Sequence, residues 1–411
     1  MRTLNRRDFL GTTAAAGAAL TGLPGLAQAA LAELTPGVPA GVGTYARMST
    51  LPGKKPLIQL ADRPPNYEAP LEYFRTPITP NDEFFVRYHL AGVPDANDPA
   101  LDPKTFKISI GGDGANGAAT LTLDDLKAMP AVEITAVNQC SGNRRGLSKP
   151  HVPGVEWGYG AMGCAKWKGA KLKDILDKVG VKKETVEVSF GGADGPVVDT
   201  TPDFVKSLPI WKAMDEHTIV AYEMNGAAIP HLNGAPARLI VPGWTGTYWM
   251  KHVNAIEART KPLNNYWMNP AYRIPIGKFP LAARFTSQEY APNTPITEMV
   301  INSLITSHRD GARVKHGKVA VSGIAWDGGY GIRAVQVSTD GGKTWTDAKL
   351  GQDLGPYAFR PWSLELSVRR GKTNVMVNAL NTIGQTQASA LIFNGAGYHN
   401  NVMQSITLNA A

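Results

Sequence analysis

Residues 131–146 read AVEITAVNQCSGNRRG: an alternating apolar run that ends in a cysteine, a turn of small residues and two adjacent arginines. The alternation up to Val137 predicts a strand, and Cys140 falls in the loop that follows it. Cysteine is scarce, with two in 411 residues, the other being Cys164 in GAMGCAKW. By number alone, two cysteines in an exported chain favour a disulfide. The charges of Arg144 and Arg145 argue for another use, because nearby positive charge lowers a thiol pKa and favours the thiolate. A thiolate is a soft metal ligand. No CxxC or HxxxH pattern accompanies it, which excludes a structural zinc site. A metal at Cys140 would have to be held mostly by something other than side chains, and an organic ligand bringing its own sulfurs would serve.

Export is read from the N-terminus. Arg6-Arg7-Asp8-Phe9-Leu10 is a twin-arginine signature, followed by an Ala/Gly/Leu run to Leu26 and the small-x-small site Ala27-Gln28-Ala29. A signal peptide over residues 1–29 and a mature periplasmic protein from Ala30 are expected. The apolar run is too short and glycine-rich to span a bilayer, and no later segment qualifies, so no membrane span is expected in the mature protein. The twin-arginine route carries folded proteins. It therefore raises the expectation of a cofactor inserted before export, and folding in a reducing compartment argues against a Cys140–Cys164 bridge.

A mature length of about 380 residues suggests two domains or three. With 43 glycines, 30 prolines and only 18% charged residues, a loop-rich and β-rich architecture is favoured over a helical bundle. The net charge of +8 is scattered, without a basic run. That speaks against nucleic acid and for a small anionic substrate or an acidic partner protein.

Residues 30–80 are proline-rich and predict an extended arm laid over a domain. EFFVRYHLAGVP reads as a strand ending in a turn, FKISIGG and ATLTLDDLKAMP as a strand pair and a short helix capped near Thr122. KLKDILDKVGV has helical spacing ended by Gly180, VEVSFGGADG is strand then turn, and ARLIVPGWTG is strand then loop. Beyond a linker near residue 290, short alternating segments separated by turn signals predict an all-β, immunoglobulin-like sandwich, with STDGGKTW as a hairpin. The expected order is an α+β domain over residues 30–291, with its arm, then the sandwich over 292–411.

Five separated motifs together resemble the sulfite oxidase family of molybdenum enzymes, and within it the bacterial periplasmic sulfite dehydrogenases. They are FFVRYHLAG, CSGNRRG, FGGADG, AYEMNGAAIPHLNGAPARLIVPGWTGTYWMKH and NNYWMNPAYR, in that order. The β-rich tail resembles the family's dimerisation domain, so the resemblance spans essentially the whole mature chain.

The resemblance implies one molybdenum–molybdopterin per chain, with Cys140 as the protein ligand of the metal. Arg87 and Arg145 are implied to bind sulfite, a small oxyanion suited to the guanidinium fork. Tyr272 is implied to face the metal, and His89 to sit against the cofactor. Cofactor contacts are implied for Phe85, Val86, Arg87, Tyr88, His89, Asp194, Arg238, Trp249, Met250 and Lys251. Where animal relatives have a histidine this chain has Asn233, whose amide is expected to bond the cofactor instead. The second-domain arginine of animal relatives has no secure counterpart; Tyr330 and Arg333 fall near its place, and neither is assigned a role. The implied reaction is oxidation of sulfite to sulfate, with electrons leaving singly. The chain has no CxxCH haem motif and no cysteines for an iron–sulfur cluster, so the expected acceptor is a separate c-type cytochrome. A homodimer is expected. The rival readings are a sulfane dehydrogenase of thiosulfate oxidation, a reductase of oxidised methionine (a branch without the sandwich tail), and an exported immunoglobulin-like binding protein without a metal.

Overall fold

A computed structural model describes residues 47–275 and 293–411. The expected signal peptide and the expected boundary between the domains lie outside them.

The first domain is built from two five-stranded sheets with a shared apolar core. One runs Lys206–Pro209, Glu187–Gly192, Val253–Arg259, Lys107–Gly111, Ala119–Thr122, with Val253–Arg259 and Lys107–Gly111 parallel. The other runs Ala227–Ala228, Ile219–Met224, Met162–Lys171, Ala131–Gln139, with Arg238–Ile240 added beside Ile219–Met224. Helices are few and short. Leu123–Ala128 carries the predicted cap: the Thr122 hydroxyl accepts from Asp125 N and the Asp125 carboxylate accepts from Thr122 N, a reciprocal capping box. Leu172–Asp177 buries Leu172, Ile175 and Leu176 and stops where Gly180 turns left-handed. The helical part of the expected α+β domain is thus thin. Short apolar spacings here were satisfied by one helical turn packed on a sheet, and the strands carry the core.

The arm departs from expectation. Arg47–Ser49, Leu57–Ala61 and Asn66–Glu68 form an antiparallel sheet completed by Val86–Arg87. Prolines at either side shorten these strands, yet Leu57, Ile58 and Tyr67 are buried among Val86, Tyr88 and Val137. The arm is a small folded layer, and it fixes the strand that carries Arg87.

Residues from 302 onward form a two-sheet sandwich. One sheet orders Asn302–Ile305, Gly317–Trp326, Arg360–Val368, Lys349–Leu350. The other orders Ala312–Val314, Gln404–Ala410, Gly371–Asn381, Ile332–Ser338, Thr346–Asp347. Alternation does what was expected of it: Val375, Val377 and Ala379 point inward against Val319, Val321 and Val335. The STDGGKTW turn is tied by Asp340, which accepts from the Lys343 and Thr344 amides and the Thr344 hydroxyl.

Candidate functional site

Three strands of the first domain run out at one edge, and the site lies there. Ala131–Gln139 delivers Cys140, Glu187–Gly192 delivers Asp194, and Lys251 and His252 precede Val253–Arg259 on the same edge. Together with the 85–89 segment and the 233–251 stretch they wall a narrow cleft.

Cys140 opens a tight turn in which Asn143 N donates to its carbonyl, while its own amide donates to Ala161 O. Ser141 pins the turn to Thr245 at 2.9 Å. A Cβ at Gly142 would lie 2.5 Å from the Arg145 guanidinium, so a larger residue there would displace that side chain. Cys140 and Cys164 are both free thiols. Cys164 is fully buried, and burial pushes its pKa up to about 12, which keeps it an inert thiol.

The adjacent arginines do different things. Arg144 bonds Asn302 Oδ1 and the Val402 carbonyl and lies over the Tyr159 ring, so it clamps the cysteine turn to the sandwich. Arg145 donates from Nε to Ala396 O at 2.8 Å and from Nη1 to Val155 O at 3.1 Å. It does not line the cleft itself but stands beside it, 5.3 Å from the centre of the Tyr398 ring.

Arg87 does line the cleft, beside Cys140, and reaches Tyr272 Oη at 3.4 Å. Burial works against its charge, but Tyr272 and Cys140 more than offset this and hold its pKa above the ordinary value. Tyr272 adopts a left-handed backbone, φ 58°, as do Arg144, His252 and His399. A non-glycine residue there costs about 1–3 kcal/mol, and such strain gathers at functional sites. His89 stacks on Phe204 at 3.7 Å and meets Tyr272 edge-on at 5.5 Å. Burial, with Arg87, Lys251 and Lys206 nearby, holds its pKa far down, so the ring is neutral.

The far end of the cleft is cationic. Arg238, buried against the Trp167 and Trp249 rings, has no carboxylate partner among the described residues; it donates to the Asn233 and Trp249 carbonyls. Lys251 lies over Tyr88 and donates to Leu232 O at 3.0 Å. Burial depresses both, Arg238 to about 9. Asp194 is the sole carboxylate among the lining residues. Burial raises its pKa and Lys251 partly offsets that. Tyr88 donates to His252 Nε2 at 2.8 Å if His252 Nδ1 donates to the Ala235 carbonyl, the arrangement that satisfies both nitrogens.

Of the residues expected at the cofactor, all but Val86 line this cleft. The Val86 side chain points to the opposite face of its two-residue strand and is buried with the arm, so only its backbone is near the cleft. Asn233 lines it, but both ends of its amide are engaged: Nδ2 donates to Phe85 O at 3.2 Å and Oδ1 accepts from Lys54 at 2.5 Å. The Asn233 amide is therefore held in one orientation, with one of its two Nδ2–H donors still available to a ligand. Sequence reasoning missed Lys54, an arm residue 6% exposed whose pKa burial and then Arg238 lower, to about 7, against the pull of Asp82. It also missed Tyr398. Tyr330 and Arg333, which fell near the place of the animal second-domain arginine, are not at the cleft; Tyr330 donates to Glu298 on the surface and Arg333 is exposed.

The cleft tests well against the cofactor implied by the motifs. Buried side-chain atoms at or beside it lack partners among the described residues: Arg87 Nε, Arg238 Nε, both amide atoms of Asn138, and Thr247 Oγ1. A long, polar, anionic group with a metal at the Cys140 end would satisfy them.

The comparisons agree with this class. The family described as oxidoreductase molybdopterin binding domain matches residues 95–267, and the Mo-co oxidoreductase dimerisation domain matches 293–410. The chain is 34% identical over 367 residues to the mitochondrial sulfite oxidase of Homo sapiens, covering 86% of this chain and 65% of that protein, so it spans just under two thirds of that relative. It is 31% identical over 362 residues to the sulfite oxidase of Gallus gallus, covering 84% of this chain and 76% of that one. The chain belongs to the sulfite oxidase family of molybdenum oxidoreductases. Its fold also superimposes on the sulfane dehydrogenase SoxCD from Paracoccus pantotrophus, with a TM-score of 0.73 at 24% identity, over 95% of this chain and 92% of that one.

Proposed function

We propose that the protein oxidises sulfite to sulfate at a molybdenum–molybdopterin cofactor and passes the electrons singly to a separate c-type cytochrome. The observation that carries this reading is the cleft itself: Cys140 at one end beneath Arg87 and Tyr272, and unpaired buried cations at the other. Cys140 would hold the metal. Arg238 and Lys251 would bind the anionic end of the pterin, with Asn138 and Thr247 as donors along it, Asp194 as an acceptor and His89 against the pterin. The bound cofactor supplies two-electron redox chemistry. The chain's own residues bind and orient the substrate: Arg87 and Arg145 present N–H donors to an oxyanion, and Tyr272, whose hydroxyl burial keeps protonated, supplies a third.

The periplasmic address rests on Arg6-Arg7 and the site before Ala30, and a homodimer through an immunoglobulin-like second domain rests on the match to the dimerisation family. A sulfane dehydrogenase acting on sulfur carried by another protein shares this fold, but the cationic cleft favours a free oxyanion. An exported binding protein would leave the unpaired donors without a purpose.

The test is steady-state turnover of sulfite with ferricyanide or cytochrome c, on protein shown by elemental analysis to carry one molybdenum per chain. Turnover with both acceptors is expected. No sulfite turnover in fully metallated protein would overturn the reading.

A further inference from the structure

Residues 394–400 of the sandwich, NGAGYHN, leave the second domain and reach the cysteine turn of the first. The segment is rigidly built. Asn394 brackets Tyr398, donating to its carbonyl at 2.7 Å and accepting from its amide at 3.0 Å, while Gly397 N donates to Asn394 O at 3.0 Å. Gly397 has φ 63°, and a Cβ there would come within 2.6 Å of Arg145 and Val152. Asn400 donates to the Arg144 carbonyl at 3.0 Å. The second domain thus holds the Cys140 turn through both arginines.

Tyr398 is the side chain that this segment delivers. Its ring stacks on Tyr272 with centroids 5.9 Å apart and planes 14° from parallel, and the Arg145 guanidinium lies over the Tyr398 ring, 5.3 Å from its centroid. It is 5% exposed. Among the described residues its hydroxyl makes no hydrogen bond, and neither does Arg145 Nη2, the other Arg145 nitrogens being committed to Ala396 and Val155. Burial, and then Tyr272 beside it, hold the hydroxyl pKa well above its ordinary value, so it is a donor at any working pH. Both atoms keep some solvent access, and two open donors on neighbouring side chains can share one incoming acceptor.

We infer that Tyr398 is a substrate-binding residue contributed by the second domain, completing with Arg145, Arg87 and Tyr272 a subsite for a small pyramidal or tetrahedral oxyanion. The paired tyrosine rings make one flat wall, which limits the subsite to small anions, and the neutral hydroxyl adds direction without a further charge. This inference rests on the oxyanion reading of the cleft.

The test compares wild type with Tyr398→Phe, which keeps the ring and its stack, and Tyr398→Ala, which removes both. All are prepared with wild-type molybdenum content, and two quantities are read: the Kd of sulfate by calorimetry and the kcat and KM for sulfite. Wild type should bind sulfate. Tyr398→Phe should raise sulfate Kd and sulfite KM together by about tenfold, with a smaller fall in kcat. Tyr398→Ala should weaken sulfate further, because Arg145 loses the ring beneath it. Unchanged Kd and KM in Tyr398→Phe, or no sulfate binding by wild type, overturn the subsite. Sulfate binding that weakens in Tyr398→Phe without sulfite turnover by wild type would support the subsite and remove the proposed reaction. Sulfite turnover with an indifferent Tyr398→Phe would do the reverse.

Discussion

The sandwich and the cleft of the first domain treat buried charge in opposite ways. Among the described residues from 293 onward one charged side chain is buried, Asp327, and it accepts from Gly329 N, Gly331 N and Asn381 Nδ2 at 2.9, 3.3 and 3.0 Å. In the first domain Arg238 and Lys251 line one end of a cleft with Lys54 behind them on Asn233, and none of the three has an ion pair among the described residues. A buried charge whose hydrogen bonds are complete holds a fold together; buried like charges left facing one another mark a place for a ligand of opposite sign. The sandwich shows the first case and the cleft the second.

The largest effect that sharpens this contrast is at the sulfur. Cys140→Ser should leave a folded, cofactor-loaded protein whose sulfite turnover falls by about 100-fold or more, since changes one shell further out already cost about 10–100-fold. Steady-state assay at matched molybdenum content checks it. Next comes the structural charge. Asp327→Ala strands three donors, so urea unfolding should show a loss of about 2–4 kcal/mol with cofactor content per folded chain unchanged.

The cleft should behave the other way round. Lys251→Met removes a half-buried cation repelled by Arg238 and gives up one hydrogen bond to Leu232. The cofactor-free variant should be more stable than cofactor-free wild type by about 1–2 kcal/mol, while its cofactor content falls. A destabilised cofactor-free variant would break the comparison.

The smallest effect is a pH dependence. In the cofactor-free fold Lys54 has a pKa of about 7, against 10.5 for an ordinary lysine. The unfolded chain keeps that proton to higher pH than the folded one, so the cofactor-free fold gains stability as pH rises above about 7. A bound anion favours the protonated lysine. Cofactor binding should therefore take up a proton at pH 8 and weaken with rising pH, by up to about tenfold per unit for one linked proton. Cofactor retention after gel filtration at pH 7 and pH 9 checks the direction, and Lys54→Met should flatten it.

What the sequence revealed and what it hid divide along physical lines. The long sandwich strands such as Gly371–Asn381 and Gln404–Ala410 were legible because they bury alternate residues, a signal that survives without knowing the partner strand. The cleft was legible as separate motifs, since Cys140, Asp194 and Lys251 each sit where a strand begins or ends. Contacts between distant segments left no such trace. Lys54 meets Asn233 across 179 residues and Arg145 meets Ala396 across 251, and neither pairing has a period to betray it. For the same reason the proline-rich arm read as extended: its strands are too short to alternate, and their pairing with Val86–Arg87 is what makes them a sheet. The roles of the paired arginines were likewise decided by the second domain, through Asn302 and Val402 for one and Ala396 and Tyr398 for the other.

The central claim is that the Cys140 sulfur is bonded to molybdenum in a cleft whose buried cations await an anionic cofactor. Molybdenum K-edge X-ray absorption on wild type and Cys140→Ser tests it most directly. The account predicts one sulfur neighbour fewer in the variant, with the metal still present. The same sulfur count in both proteins would contradict it.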